Sequence, residues 1–350
     1  GKEKELTVRD SYDRAVTVHK PIKRIVAASP RCSLTMLRSI RVEENRIVGV
    51  ESLIQSSGGG KYGVNHKIFF PEYQDKPTVG LVWNPDCEAI LELNPDVVFL
   101  IASPGLSGAT AVDKASDVLE SAGITVLRIY AGVYVKGVPE EVKRLGYIFD
   151  KRKEAEEFVN SYNKYMNWVK ERVEKIPEED KPKVYFESSF GTYQTGGEHM
   201  THIEFGGGKT IFPEIVKHGS VDPEAVAMRN PDIIVKVASA GVSGYDMDPD
   251  DTTKIEKVRE EIMSRAELQN VKAVKTGRVY VISSYIVGYG PADEGAGFLH
   301  KLYMAKWLHP DLFGDLDPKA IHQEFLTRFQ GLDIDLDEHG VFAYPPLEES

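Results

Sequence analysis

The chain of 350 residues is poor in cysteine, with two, Cys32 and Cys87. Two are too few for a disulfide framework or a cysteine-only zinc site. They read as half-buried thiols; the alternative is a single disulfide, since both follow predicted strands in the first half. Positive charge is also in deficit. Lys and Arg number 43 against 54 Asp and Glu, for a formal net charge of −11. Nothing is left over to neutralise phosphates, which argues against a nucleic-acid partner. No apolar run reaches the roughly 18 residues of a membrane span. No secretory leader is visible either. The polar stretch GKEKELTVRD reads as a mature or trimmed start, so this absence does not argue for a cytoplasmic home.

What is present is ordinary for a folded soluble chain, with 41% hydrophobic and 28% charged residues. A length of 350 exceeds what one hydrophobic core supports, so two domains are expected. LTVRDSYDRAVTV alternates around a polar turn and predicts a β-hairpin. Short apolar strands then alternate with helices through KRIVAAS, SLTMLRSI, RIVGV, TVGL, NPDCEAILEL, DVVFLIA, ATAVDKASDVLESAG and TVLRIY. The stretch 54–79 holds SSGGGKYG and no strong period, and reads mainly as an insertion or loop. A second alternation runs through KVYFES, a helix near 201–216, PEAVAMR, DIIVKV, a helix near 253–268, VYVISS and a helical run from Gly295. Such alternation is the signature of parallel α/β sheets. Between the halves, Phe158, Tyr162, Tyr165, Met166, Val169 and Val173 recur at helical spacing in a charged segment ended by Pro177. The expected organisation is an N-terminal α/β lobe over 1–145, an inter-lobe helix over 146–177 and a C-terminal α/β lobe over 178–350.

The two halves share a phrase. NPDCEAILELNPDVVFL begins at 84 and VDPEAVAMRNPDIIVK at 221. With Glu88 laid on Glu224, the residues Asp86, Ala89, Asn94, Pro95 and Asp96 meet Asp222, Ala225, Asn230, Pro231 and Asp232. Each copy reads as a short helix leading into a strand. Pro85 and Pro223 are expected in the first turn, where proline is tolerated. Glu88 and Glu224 are expected near the positive end of the helix dipole. Pro95 and Pro231 are expected to end the helix and launch the strand.

These phrases stand in order with the entry VTVHKPIKRIVAAS, the helix KRKEAEEFVNSYNKYMNWVKERV, the element EFGGGKTIF with Gly207, Gly208 and Lys209, and the closing LHPDLFGDLDPKAIHQEFLTRF. Together they resemble the substrate-binding proteins of ABC importers, in the class that takes up iron–siderophore complexes, haem and cobalamin. The resemblance spans nearly the whole chain. It implies two Rossmann-like α/β lobes joined by a rigid helix, with a ligand cleft between them and little hinge motion. It implies an extracytoplasmic monomer, lipid- or membrane-anchored in its precursor, with no reaction of its own and no intrinsic cofactor. Its partners would be a permease dimer with its ATPase subunits and a ligand that is a ferric chelate, haem or a corrinoid. The closing segment favours the iron branch. Glu88 and Glu224 match the acidic residues, one per lobe, that dock onto arginines of the permease. The rival from another class is an enzyme on the same scaffold, such as a chelatase.

In open α/β sheets the ligand lies beyond the carboxyl ends of the strands. That rule selects Arg31, Trp83, Tyr193, His199, Tyr285 and Tyr289. The aromatics could offer flat faces to a large organic ligand. Core packing is the competing expectation for each. Arg31 could pair with the anionic oxygens of a chelate. His199 and His202, spaced i, i+3, share a helix face and could hold a metal ion or a haem edge, against a plain surface pair. GGGKT at 206–210 mimics the tail of a phosphate loop, but Ile203 stands where that loop needs glycine. GYDMDPDDTTKIE at 244–256 lacks the glycine and glutamate of a calcium loop and reads as a solvated loop that caps the next helix.

Overall fold

The computed structural model describes residues 4–29, 32–55, 66–102, 109–130, 137–197, 199–286 and 297–347. Strands β1 (Lys4–Arg9) and β2 (Ala15–Lys20) pair antiparallel as the predicted hairpin. Then come β3 (Ile25–Ala28), α1 (Cys32–Ser39), β4 (Ile47–Val50), β5 (Gly80–Leu81), β6 (Asn84–Pro85), α2 (Cys87–Glu92), β7 (Val97–Ala102), α3 (Ala109–Ser121) and β8 (Val126–Tyr130). A parallel sheet forms in the order β4-β3-β7-β8. Every residue of β3 and β7 is buried. That is the pattern of a parallel sheet covered on both faces, and it is why these strands read as unbroken apolar runs.

Two helices follow, α4 (Val138–Ile148) and α5 (Arg152–Val173). The helix expected from 146 is therefore divided, with Asp150 in the left-handed region at φ 57 between its parts. On α5 the buried stripe is Ala155, Phe158, Val159, Tyr162, Tyr165, Met166 and Val169.

The second half contains β9 (Lys183–Glu187), β10 (Gln194–Thr195), α6 (His199–Phe205), β11 (Lys209–Thr210), β12 (Gly219–Ser220), α7 (Pro223–Arg229) and β13 (Ile233–Ala238). It continues with α8 (Thr253–Met263), α9 (Lys272–Lys275), β14 (Val279–Ser283), α10 (Phe298–Leu308), α11 (Pro318–Glu324) and β15 (Ala343–Tyr344). Its sheet runs β11-β9-β13-β14, parallel, with β15 added antiparallel at the edge. Up to β14 this is the order of the first sheet, strand for strand.

One apolar cluster runs from Ile25 and Ile47 through Phe158 and Val169 to Leu299 and Ile321. The chain after α11 returns to the first half. The Gln330 amide donates to the Thr35 carbonyl (3.1 Å) and to Ser39 Oγ (2.9 Å), and Phe329 meets Phe158 edge to face at 5.2 Å. The lobes are thus joined by α5 and by this returning segment.

Two expectations change. The stretch 54–79 is not merely a surface insertion, because Phe69, Phe70 and Tyr73 are core residues. The Arg38 guanidinium lies over all three rings, at 5.2, 4.7 and 5.7 Å. The helix near 201–216 ends at Phe205. A Cβ on Gly206 would sit 2.9 Å from Met304 Cγ, and one on Gly208 would sit 2.8 Å from Leu308 Cδ1. The glycines of GGGKT therefore let the end of α6 pack closely on α10, which needs no phosphate to explain it.

Candidate functional site

The repeated phrase builds the same clasp twice. Asp86 caps α2 by accepting from the Ala89 N–H (3.0 Å), and Asp222 caps α7 by accepting from the Glu224 N–H (2.8 Å). Past each helix, Asn94 (φ 45) and Asn230 (φ 44) turn the chain left-handed, as asparagine tolerates. Asp96 then accepts from Lys23 N–H (2.7 Å) and Arg24 N–H (2.8 Å) at the entry to β3, and Asp232 accepts from Lys183 N–H (2.8 Å) at the start of β9. The basic side chains at these strand entries bind the helix ends in return. Arg24 donates to the Leu93 carbonyl (2.7 Å) and Lys183 to the Arg229 carbonyl (3.0 Å). The prolines differ from expectation. Pro223 is in the first turn of α7, but Pro85 lies in β6, ahead of the Asp86 cap.

Each polar residue common to both copies thus caps, turns or clasps the chain within its lobe, except one pair. Glu88 and Glu224 are exposed, and among the described residues neither carboxylate makes a hydrogen bond or ion pair. Helix-dipole stabilisation alone is worth only about 0.3–1 kcal/mol at an exposed first turn.

At the carboxyl ends of the strands, Trp83 lies half-buried at the tip of the β5–β6 hairpin, against the apolar cluster that includes Val79 and Val82. Arg31 and Tyr289 lie outside the described residues. His199 opens α6, but its side chain also lies outside them. The remaining candidates are interior residues. Tyr193 is 8% exposed, its hydroxyl donates to Glu267, and its ring stacks on Tyr185 and under the Arg265 guanidinium. Tyr285 is 1% exposed and packs edge-on to Tyr245. His202 is 0% exposed, its ring 4.3 Å from that of His300. In this structure Tyr193, Tyr285 and His202 thus lie packed in the interior. Among the described residues no group of three His, Cys, Asp or Glu side chains is placed to hold a metal ion. Cys32 and Cys87 open α1 and α2 as thiols, without a disulfide.

Beneath the loop that follows β9 lies a buried charge network, which no sequence pattern announced. Glu187, 0% exposed, receives two hydrogen bonds from Arg265 (2.8 Å each), and others from the Tyr185 hydroxyl (2.9 Å) and the Tyr193 N–H (3.0 Å). Lys236 pairs with Glu187 at 2.9 Å and donates to the carbonyls of Ser188 (2.9 Å) and Gly191 (3.3 Å). Burial alone would raise the Glu187 carboxyl. The hydrogen bonds and charges of Arg265 and Lys236 reverse this and hold it at about 2. The network fixes the loop 188–193. On that loop Phe190 stays 37% exposed, edge-on to His218 at 5.0 Å. Burial lowers the His218 imidazole, which favours its neutral form. Phe190 lies in the strand-end loop but was missed, because SSF carries no local signal.

Residues 46–286 match the model of the periplasmic binding protein family, and the chain belongs to that family. It is similar to the molybdate-binding protein MolA of Haemophilus influenzae, 21% identical over 342 residues and covering 92% of this chain and 90% of that one. A cobalamin-binding protein of Halobacterium salinarum is 24% identical over 244 residues, 67% of this chain and 59% of that one. Among solved structures, the TroA-like periplasmic binding protein FepB from Veillonella parvula superposes with a TM-score of 0.78 at 22% identity, covering 97% and 99% of the two chains. MolA bound to molybdate gives 0.71 at 19% identity, covering 93% and 98%. These structures share the two-lobed fold. Among the described residues no helix is long and apolar enough to cross a membrane.

Proposed function

We propose that this chain is an extracytoplasmic, membrane- or lipid-tethered binding protein that captures a metal chelate and delivers it to an ABC permease with its ATPase subunits. It binds and releases and carries out no reaction. The observation that carries this reading is the duplicated clasp. Two lobes repeat one phrase, and the repeated polar residue that neither caps, turns nor clasps the chain is a glutamate, once on each lobe. Like-placed anions suit a partner with two-fold related cationic sites. An iron–siderophore complex is the leading ligand, with haem or a corrinoid behind it. Trp83 on one lobe and Phe190 on the other keep aromatic surface at the strand-end loops for such a ligand. A small oxyanion is the second reading, because the relative that covers 92% of the chain is a molybdate-binding protein.

The test is native mass spectrometry with absorption spectra, on protein exposed separately to ferric siderophores, haem, cobalamin and molybdate. A one-to-one adduct with a ferric siderophore is expected. An adduct with molybdate alone would replace the chelate reading with the oxyanion one. Binding of none would overturn both.

A further inference from the structure

After α11 the chain reads GLDIDLDEHG from Gly331, with leucine and isoleucine alternating with aspartate. The alternation persists in three dimensions. Ile334 and Leu336 are buried, while Asp333, Asp335 and Asp337 are exposed. Among the described residues no strand pairs with this stretch. The Gln323 side chain takes a strand's place. Its amide donates to the Ile334 carbonyl (2.9 Å), and its oxygen accepts from the Leu336 N–H (2.9 Å). One residue of a parallel strand holds its neighbour in the same way, so 334–336 is kept extended. Asp333 and Asp335 therefore project from positions about 6.6 Å apart on one side of the chain.

This row borders a groove of about 1410 Å³ between α10, α11 and the chain leading into β15. Neither Trp83 nor Phe190 borders it. Five aspartates and two lysines do, and both lysines are engaged. Lys306 donates to the Leu316 carbonyl (2.5 Å), and Lys319 pairs with Asp337 (2.6 Å). Among the described residues Asp333 makes no hydrogen bond or ion pair, and Asp335 accepts only from the Asp337 N–H (2.9 Å). Ile334, Leu336 and Phe342 supply apolar lining. Two enclosed polar side chains also border the groove. Tyr303 is 5% exposed, and its hydroxyl makes no hydrogen bond among the described residues. His322 is 1% exposed. Its Nε2 meets the Tyr245 hydroxyl at 2.7 Å, and its buried Nδ1 has no partner. Buried polar atoms are paired in nearly every native structure, so two such groups on one groove point to a ligand.

We propose that this groove is a second ligand site and that its ligand is a linear polyamine. Ammonium groups pair with Asp333 and Asp335, and the methylene spacers lie on the apolar lining. The Tyr303 oxygen and the His322 Nδ1 lone pair accept from the ammonium that goes deepest. His322 does so as the tautomer whose Nε2–H donates to Tyr245. Other ligand classes fit less well. An anion would meet five carboxylates and no unengaged lysine. A metal ion needs converging oxygens, and among the described residues no group of three His, Cys, Asp or Glu side chains is placed to hold one. A single amine would leave the second aspartate unpaired. The inference stands apart from the ligand proposed for the strand-end loops.

The experiment is isothermal titration calorimetry of the whole protein with spermidine, trilysine and calcium chloride in turn, at physiological salt. Hydrogen exchange of 331–337 is followed in the same solutions. Spermidine is expected to bind one to one and to slow that exchange. It should bind about tenfold tighter than trilysine, whose peptide groups would be desolvated without partners. Asp333→Asn with Asp335→Asn is expected to weaken spermidine binding about thirtyfold, and Tyr303→Phe about fivefold. Both aspartates are exposed and Tyr303→Phe keeps the ring, so unchanged melting temperatures verify folding. No saturable binding of spermidine, or parent-like binding by the aspartate variant, would overturn the inference. Calcium binding with none of spermidine would overturn it in favour of a metal site. Trilysine binding as tightly as spermidine would overturn it in favour of a peptide seat.

Discussion

Asp96 in the N-terminal lobe and Asp232 in the C-terminal lobe do the same work, but the lobes carry their buried charge differently. In the first, the enclosed Asp10 carboxylate meets a single guanidinium, Arg14 at 2.8 Å and 34% exposed, and the buried Arg128 pairs at 2.7 Å with Asp113, whose side chain is 56% exposed. Solvent shares both pairs. In the second, Glu187 is fully enclosed and satisfied by Arg265, Lys236 and Tyr185. An enclosed carboxylate is tolerated only when its partners are complete, so removing one is far more damaging than breaking an exposed pair. The duplicated scaffold is thus held by cheap, repeated backbone clasps. The loop of the C-terminal lobe that faces the strand ends is instead held by a network with no counterpart in the sequence repeat.

The largest expected effect breaks this contrast directly. Glu187→Gln should destabilise the protein by about 3–5 kcal/mol in denaturant unfolding, because two cations lose their anion. Asp113→Asn should cost about 1 kcal/mol or less. Equal losses would show that the two lobes handle charge alike.

Next comes acid. His300 and His322 both lie in the second half, and burial holds each near a pKa of about 3. Their unfolded forms titrate at about 6.5. The stability held by the neutral imidazoles is therefore complete above pH 6.5 and lost as pH falls towards 3. By pH 5 the loss is about 2 kcal/mol for each. Glu187 adds nothing between pH 7 and 5, because its contribution is complete above its unfolded value of about 4.3 and is lost from there as pH falls towards about 2. Unfolding of His300→Leu between pH 7 and 5 should show a shallower decline than the parent. A parallel decline would place the acid sensitivity elsewhere.

Smaller and sharper is the test of the repeated glutamates. Glu88→Ala and Glu224→Ala, taken singly, should each weaken permease binding about tenfold, measured by biolayer interferometry against the permease complex in lipid nanodiscs. Loss confined to one of them would make docking a one-lobe event. Smallest are the caps. Asp86→Ala and Asp222→Ala should each cost about 1 kcal/mol in thermal unfolding, and by similar amounts if the clasps are equivalent.

The repeat was visible as letters, but its purpose was only half legible. Asn94 and Asn230 supply a left-handed turn directly ahead of Pro95 and Pro231, which the letters alone did not show. Pro85 and Pro223 align by neighbourhood in the text yet occupy different elements. The aromatic candidates show the same limit. Trp83 kept an exposed face, whereas Tyr193 and Tyr285 went inward, because a tyrosine after a strand reads the same on either side of a loop. Phe69, Phe70 and Tyr73 had no period to mark them as core, since their packing is against Arg38 and Tyr245, distant in sequence.

By itself the sequence determined the alternation of strands and helices, the duplication, the amphipathic stripe of α5 and the two glutamates. Each of these depends on interactions within about a dozen residues, where periodicity, capping and turn chemistry act. Tertiary structure alone decided which side chains reach the surface. It brought Glu187, Lys236 and Arg265 together from separate elements, buried His202 against His300, and returned Gln330 to Thr35. Those contacts join residues far apart in the chain, and only the packing of the lobes sets their distances.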